Sequence, residues 1–455
     1  MITKDEILCK SSEFGIHVAH VQRDYVYGWL LAGIYSATEL RDILIFKGGN
    51  CFRKAYFPNT RFSEDLDFST ETSIDCELLM KEFNRACNYV QEKAGVTFDV
   101  ARNNIRVQGQ LDEQRRVFDM RLYFRDFYGN AEHIVIRISI DITENDKIYL
   151  PPQRRHVIHP YSDSHNCTAT VLCHKIEEMI ANKLKCLLQR RHVPDVYDLV
   201  YSIFINQDIE VNRTSVIRVF LQKTIYEPSP GVARQLLLDL PLAILKNAWN
   251  RYIVAPVLGL IHFDDVALRF QGIVNTLFSE YPVSTRASFA YFPSALRRPI
   301  MEAGADKRIL KLKYDGIIRY VEPYSLVYKR RKDGHREEYF YAWDRTGGRS
   351  GPGIKVFRND KISDIIITDD KFEPRYPIEL GKAGEPLGSG YFGGNLAIPQ
   401  YRKTLRHGWR YTIQCPLCYR SFKRMRRNTD LNAHEDGHHN KCYGRRGVVV
   451  SQEIV

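Results

Sequence analysis

The spacing of apolar positions divides the chain into a mixed front, a strand-rich middle and a glycine-rich, polar end. From Val21 to Thr38, Trp29, Leu30, Leu31 and Ile34 cluster on one side, which predicts a helix. Ile43–Phe46 is a short apolar run ending at Gly48-Gly49 and predicts a strand. Leu66 and Phe68 then alternate with Asp65 and Asp67, the pattern of a strand whose second face is acidic. Cys76–Ala94 has helical spacing. Arg116–Phe124 and His133–Asp141 predict a hairpin joined through Tyr128-Gly129-Asn130. From His174 the pattern stays helical through Trp249 to Tyr281.

The periodicity changes near Ser294. Lys307–Tyr314, Arg319–Glu322, Tyr324–Lys329, Glu337–Trp343, Lys355–Asn359 and Ile362–Thr368 are short β-rich runs. Turn signals at Asp315-Gly316, Asp333-Gly334 and Thr346-Gly347-Gly348 separate them, which predicts a small barrel or a strongly twisted sheet. The glycine-rich stretch Gly381–Gly394 predicts a linker. Four parts follow: 1–285, 294–380, a linker over 381–400, and a tail over 401–455.

Composition narrows the class. With 44% hydrophobic and 26% charged residues, the 455-residue chain is neither fibrous nor grossly disordered. The net charge is +12, and residues 401–455 hold 12 Lys/Arg against 4 Asp/Glu. Most of the surplus therefore sits in the tail, as expected for a contact with an anionic partner such as nucleic acid. Met1–Cys9 carries Lys4, Asp5 and Glu6 and no apolar core, so no signal peptide is expected. No apolar run reaches the roughly 20 residues of a transmembrane helix, so no membrane association is expected. Seven of the ten Cys are scattered and three cluster late, which fits a reducing cytoplasm and one metal site.

The strongest chemical signal is Lys47-Gly48-Gly49 followed by Arg61-Phe62-Ser63-Glu64-Asp65-Leu66-Asp67-Phe68. Residues two apart on a strand point the same way, so Asp65 and Asp67 present two carboxylates on one face. Such a pair repels itself unless a cation lies between, and magnesium with a nucleoside triphosphate is the usual solution. Gly48 and Gly49 at a strand end would let backbone N–H groups approach phosphate. A surface strand that happens to be acidic is the plainer alternative.

The segment "FKGGNCFRKAYFPNTRFSEDLDFS" resembles the AbiEii/AbiGii nucleotidyltransferase toxins, members of the polymerase-β-like nucleotidyltransferase superfamily. "EEMIANKLKCLLQRRHVPDVYDLVY" matches a second family block, with Lys183, Arg190, Asp195 and Asp198 in the family's order. The resemblance covers the first three-fifths of the chain. It implies that Lys47, Gly48, Gly49, Ser63, Arg190 and Asp195 bind nucleotide and that Asp65 and Asp67 bind Mg2+. It also implies that Lys183 neutralises phosphate while Asp198 (or Asp195) orients that lysine or completes the site. Asp141 would be the third carboxylate, or simply a strand-end cap. Two departures stand out: a slightly long gap around Phe57–Thr60, and Asn50 where the family has Thr.

The middle region resembles a WYL domain, a small Sm-like barrel, in "LKLKYDGIIRYVEPYSLVYKR", "EYFYAWDR" and "KVFRNDKISDIIIT". That implies ligand or nucleic-acid binding, with Arg319, Tyr341, Arg345 and Arg358 as contacts. In the tail, Cys415, Cys418, His434 and His438 have the C-x2-C-x15-H-x3-H spacing of a zinc site. Two imidazoles at i and i+4 on a helix would complete a tetrahedron, with His439 or Cys442 as alternatives to His438.

The expected fold class is α+β multidomain: a polymerase-β-like nucleotidyltransferase domain with a helical C-terminal part, a small WYL-like β-barrel, and a small zinc-binding tail. The expected function is that of a cytoplasmic toxin of a toxin–antitoxin or phage-defence system. It would move a nucleotide from NTP to RNA, with the tRNA 3′ end as the expected acceptor, and a cognate antitoxin would restrain it. A nucleotide-sensing, nucleic-acid-binding regulator and a protein-modifying transferase are the alternatives.

Overall fold

The computed structural model describes residues 2–454 except 111–115, 129–134, 191, 207, 225, 228, 241, 282–290, 331–335, 349–350, 377, 379, 381–408, 419, 425–427 and 436–440. It divides into two units, Met1–Leu396 and Ala397–Val455. The expected linker over 381–400 lies outside the described residues.

The first unit begins with α1 (Lys4–Phe14), α2 (Val18–Ala37), β1 (Ile45–Lys47), a helical turn α3 (Gly48–Cys51), β2 (Asp65–Ser69) and α4 (Cys76–Ala94). Then come β3 (Asn104–Gln110), β4 (Arg116–Arg125), β5 (Val135–Thr143), β6 (Gln153–His156) and β7 (Thr170–Cys173). A helical series follows: α5 (Ile176–Arg190), α6 (Val193–Val200), α7 (Arg213–Gln222), α8 (Pro230–Leu238), α9 (Ala243–Tyr252) and α10 (Phe263–Leu277).

The helix ends follow local chemistry. The Asp75 carboxylate accepts from the Glu77 and Leu78 N–H groups at the start of α4, and Gly95 at φ 71° closes it. From Tyr25 to Tyr35, α2 is apolar around its whole girth and buried. It packs against α1, α4 and β7 and forms the centre of the main core.

The seven strands form one mixed sheet in the order β3-β4-β5-β2-β1-β7-β6. β4 and β5 pair as the predicted hairpin, from Val117 opposite Thr143 to Arg125 opposite Val135. β2 lies parallel to β5 and antiparallel to β1. This places the acidic strand in the middle of the sheet, where its apolar face, Leu66 and Phe68, is fully buried.

The same unit has a second core. α11 (Ser294–Asp306) packs on β8 (Arg308–Tyr314), β9 (Ile317–Arg330), β10 (Arg336–Asp344), β11 (Gly353–Arg358) and β12 (Ile362–Lys371). Two runs predicted to be separate, Arg319–Glu322 and Tyr324–Lys329, are one strand through Pro323. Proline has no N–H to donate, and Pro323 sits at the register shift opposite Tyr341/Ala342. The expected closed barrel is not found. The antiparallel order β11-β10-β9-β8-β12 leaves β11 and β12 as unpaired edges among the described residues, with α11 covering one face. Arg319 pairs with Asp344, Arg345 with Glu322, and Arg358 with Asp360, while Tyr341 is buried.

The second unit is all β among its described residues: β13 (Trp409–Gln414), β14 (Ser421–Arg424), β15 (His434–Glu435), β16 (Lys441–Cys442) and β17 (Val448–Ile454). β14-β13-β17 form one sheet and β15-β16 a second. The expected helix carrying two histidines is replaced by a strand at His434. No helix among the described residues is long and apolar enough to cross a membrane.

Candidate active site

The site starts from strand registers. Lys47 on β1 stands opposite Asp67 on β2, Asp67 opposite Asp141 on β5, and Asp141 opposite Asp119 on β4. One cation and three carboxylates thus form a row across four adjacent strands. Asp65, Asp67 and Asp141 each offer an oxygen, and these atoms all lie within 4.8 Å of one another. Asp141 is inside β5 rather than capping its end.

Burial and like charge act together on this group. Burial, then the charge of Asp65, pushes the Asp67 carboxyl up to about 8. Burial, then Asp65 and Asp119, lifts Asp141 to about 6. Lys47 offsets only part of this, because its ammonium is already held by Asp146 at 2.9 Å and by the Thr143 hydroxyl at 3.1 Å. Three mutually repelling oxygen donors fit a hard divalent cation better than they fit one another.

Gly48 and Gly49 are required by space as well as by flexibility. Gly48 adopts φ +77°, and a Cβ there would lie 1.9 Å from Asp67 Oδ2. A Cβ on Gly49 would meet Ser63 Oγ at 2.6 Å and an Arg61 guanidinium nitrogen at 2.7 Å. The Ser63 hydroxyl donates to Asp65 Oδ1 at 2.9 Å. Asn50, where Thr was expected, points inward. Its amide donates to the backbone carbonyls of Ser63 and Asp65 and so ties α3 to the entry of β2. The longer loop at Phe57–Thr60 is held by Arg53, which donates to the Pro58 and Thr60 carbonyls at 2.7 and 2.9 Å. Gly48→Ala is expected to displace Asp67 and cut divalent-cation affinity by about 10–100-fold, the range for disturbed support of a metal ligand. Isothermal titration with Mg2+ checks it, and an unchanged affinity would mean that Asp67 does not bind the ion.

Lys183 comes from α5, and Asp195 and Asp198 lie one turn apart on α6. The Lys183 ammonium contacts Asp195 Oδ1 at 2.9 Å and Asp198 Oδ2 at 2.8 Å. Burial opposes its charge, but the two carboxylates outweigh burial and hold its pKa above the ordinary lysine value. Arg61 grips Asp198 with two parallel bonds, Nε to Oδ1 at 2.7 Å and a terminal nitrogen to Oδ2 at 2.8 Å. Arg190 ends α5, and its side chain lies outside the described residues.

Sequence reasoning gave no role to Arg61, Asp119 or Asp146. The alternation of Phe118, Met120 and Leu122 marks Asp119 as facing the opposite side of β4, a usable signal. The partners of Arg61 and Asp146 are set by tertiary packing, with no spacing to reveal them.

In the second unit, Cys415, Cys418, His434 and Cys442 offer ligand atoms that all lie within 4.8 Å of one another. Cys442, the expected alternative to His438, is the fourth member among the described residues; His438 lies outside them.

A family model described as "Nucleotidyl transferase AbiEii toxin, Type IV TA system" matches residues 29–268, more than half of the chain. Among solved structures, the chain is 18% identical to MenT4, a nucleotidyltransferase toxin from Mycobacterium tuberculosis. That match covers 61% of this chain and 90% of the other, with a TM-score of 0.38. Proteasome accessory factor B/C of Arthrobacter aurescens is 19% identical over 31% of this chain and 21% of its own, with a TM-score of 0.15. No curated protein matches the chain.

Proposed function

The chain belongs to the AbiEii family of nucleotidyl transferase toxins of type IV toxin–antitoxin systems, and from that premise we propose that it transfers a nucleotide from NTP to RNA, with the tRNA 3′ end as acceptor, in a Mg2+-dependent reaction. The observation that carries this reading is the convergence of Asp65, Asp67 and Asp141 beside Gly48 and Gly49. The concentration of positive charge in residues 401–455 supports a polyanionic acceptor.

Asp65, Asp67 and Asp141 would hold Mg2+, which when bound would stabilise charge on the attacking and leaving oxygens. Gly48 and Gly49 would leave room for the triphosphate, with Ser63 beside it. Lys47 and Lys183 would offset phosphate charge, Lys183 being positioned by Asp195 and Asp198. Arg190 would contact the nucleotide from the end of α5. The acceptor hydroxyl oxygen would attack the α-phosphorus and give its proton to solvent, the bond to the bridging oxygen would break, and pyrophosphate would leave. The sheet over 308–371 and the basic tail would serve as accessory domains that grip nucleic acid. A cognate antitoxin would act in the cytoplasm on the toxin or its product.

Incubating the protein and Mg2+ with total tRNA and each α-labelled NTP tests the reading, with an Asp65→Ala/Asp67→Ala control. Label in RNA with the wild type alone is the expected result. Label in protein would move the acceptor to protein. Nucleotide binding without any transfer would favour a nucleotide-sensing regulator.

The raised Asp67 and Asp141 pKa values also set a pH dependence. A carboxyl raised in the folded state stabilises the fold while protonated. That contribution is complete below the unfolded value of 3.8 and is lost as pH rises through about 6 for Asp141 and about 8 for Asp67. The metal-free protein should therefore lose thermal stability between pH 4 and 8. Mg2+ displaces these protons, so its affinity should rise by up to about tenfold per pH unit from 6 to 8. Thermal melts with and without Mg2+ check this, and a pH-independent Mg2+ shift would contradict it.

A further inference from the structure

We propose that Cys415, Cys418, His434 and Cys442 hold one zinc ion in a closed Cys3His tetrahedron, and that this ion folds the tail unit.

All four donor atoms lie within 4.8 Å of one another, and two of the six distances fit tetrahedral edges. Cys415 Sγ and Cys442 Sγ are 3.7 Å apart, and Cys418 Sγ and His434 Nε2 are 3.3 Å apart. Zinc–sulfur bonds of about 2.3 Å and zinc–nitrogen bonds of about 2.0–2.1 Å give tetrahedral edges of roughly 3.8 Å and 3.5 Å. A disulfide would need sulfurs at about 2.05 Å. The ligands come from three places: the turn after β13, β15, and β16. The register of the short sheet sets His434 directly opposite Cys442. The spacing argument for His438 required a helix through His434, and His434 is in a strand.

The surroundings orient the donors. His434 Nδ1 lies 2.9 Å from the Asn432 carbonyl, which places the ring proton on Nδ1 and leaves the Nε2 lone pair facing Cys418. The Gly444 N–H donates to Cys442 Sγ at 3.4 Å. A Cβ on Gly444 would sit 2.4 Å from Cys415 Sγ, so the chain passes the sulfurs only because this residue is glycine. Three soft thiolates with one imidazole select zinc over magnesium or calcium. All four corners are protein ligands, so the ion is structural, with no open position for substrate.

The unit needs such a staple. Among its described residues, the buried core is Ile413, Leu431 and the two ligands Cys415 and Cys442, with Tyr411, Cys418, Phe422 and Val449 packed against it. So few apolar groups cannot offset the entropy of ordering the segment, and metal binding supplies the difference.

The test uses the full-length protein and reads metal, so it is independent of nucleotidyl transfer. Elemental analysis after purification without added metal should find one zinc per chain, also in the Asp65→Ala/Asp67→Ala variant. Exchange with Co2+ should give the thiolate-to-cobalt charge-transfer intensity of three sulfurs. Cys442→Ser should lower zinc content to less than about a tenth of wild type, and His438→Ala should leave it unchanged. If Cys442→Ser does not fold, the wild-type Co2+ spectrum still counts the thiolates. Iron or no metal in the wild type, a two-thiolate spectrum, or loss of zinc on His438→Ala would overturn the assignment.

Discussion

Asp67→Asn is expected to lower kcat for nucleotidyl transfer by on the order of 10³-fold, comparable to removing one preorganised charge-stabilising group, and also to raise the thermal midpoint of the metal-free protein at pH 8. The two effects have one cause. Asp67 is pressed by burial and by Asp65 until its carboxyl is lifted to about 8. The neutral amide keeps the shape and removes the repulsion, so the apo fold gains. It also removes a charged oxygen donor from the trio with Asp65 and Asp141, so cation binding loses. Mg2+ should then stabilise the wild type more than the variant. Label-transfer kinetics and melts with and without Mg2+ read both effects together. Full turnover in the variant would remove Asp67 from the site. A lowered apo midpoint would mean that its charge is better compensated by Lys47 than the geometry indicates.

Arg61→Ala should carry the largest stability cost, about 3 kcal/mol, at the low end for breaking a buried ion pair. Arg61, Lys183, Asp195 and Asp198 are all buried and form two cations facing two anions. Truncation leaves one net negative charge in the interior. Asp198 keeps its contact with Lys183, which is why the low end applies. The remaining carboxylates also hold the Lys183 ammonium more firmly, which weakens its attraction to phosphate, so KM for NTP should rise. Arg61→Lys should lose less stability, because it keeps the charge and gives up only the bidentate geometry. Thermal and urea unfolding of the two variants check this. An Arg61→Ala midpoint equal to wild type would show that Asp198 is satisfied without the guanidinium.

Much of the catalytic half was readable in the chain. Alternation alone put Asp65 and Asp67 on one face of a strand and Leu66 and Phe68 on the other, and β2 has that arrangement. Helical spacing gave Cys76–Ala94 its full extent because a capping Asp and a closing Gly mark both ends. The β4–β5 hairpin was equally plain.

What sequence missed has a common reason. Period and spacing are local, whereas register between distant strands, edge pairing and buried charge partners depend on long-range packing. Only the tertiary structure aligned Lys47, Asp67, Asp141 and Asp119 into one row. It alone left β11 and β12 unpaired among the described residues where short strands and turns suggested a barrel or a strongly twisted sheet. The tail shows the same division. The chain itself determined that a Cys-x2-Cys pair and a distal His would meet. The pairing of β15 with β16 set Cys442 directly opposite His434, because register between two short strands comes from packing and not from spacing along the chain.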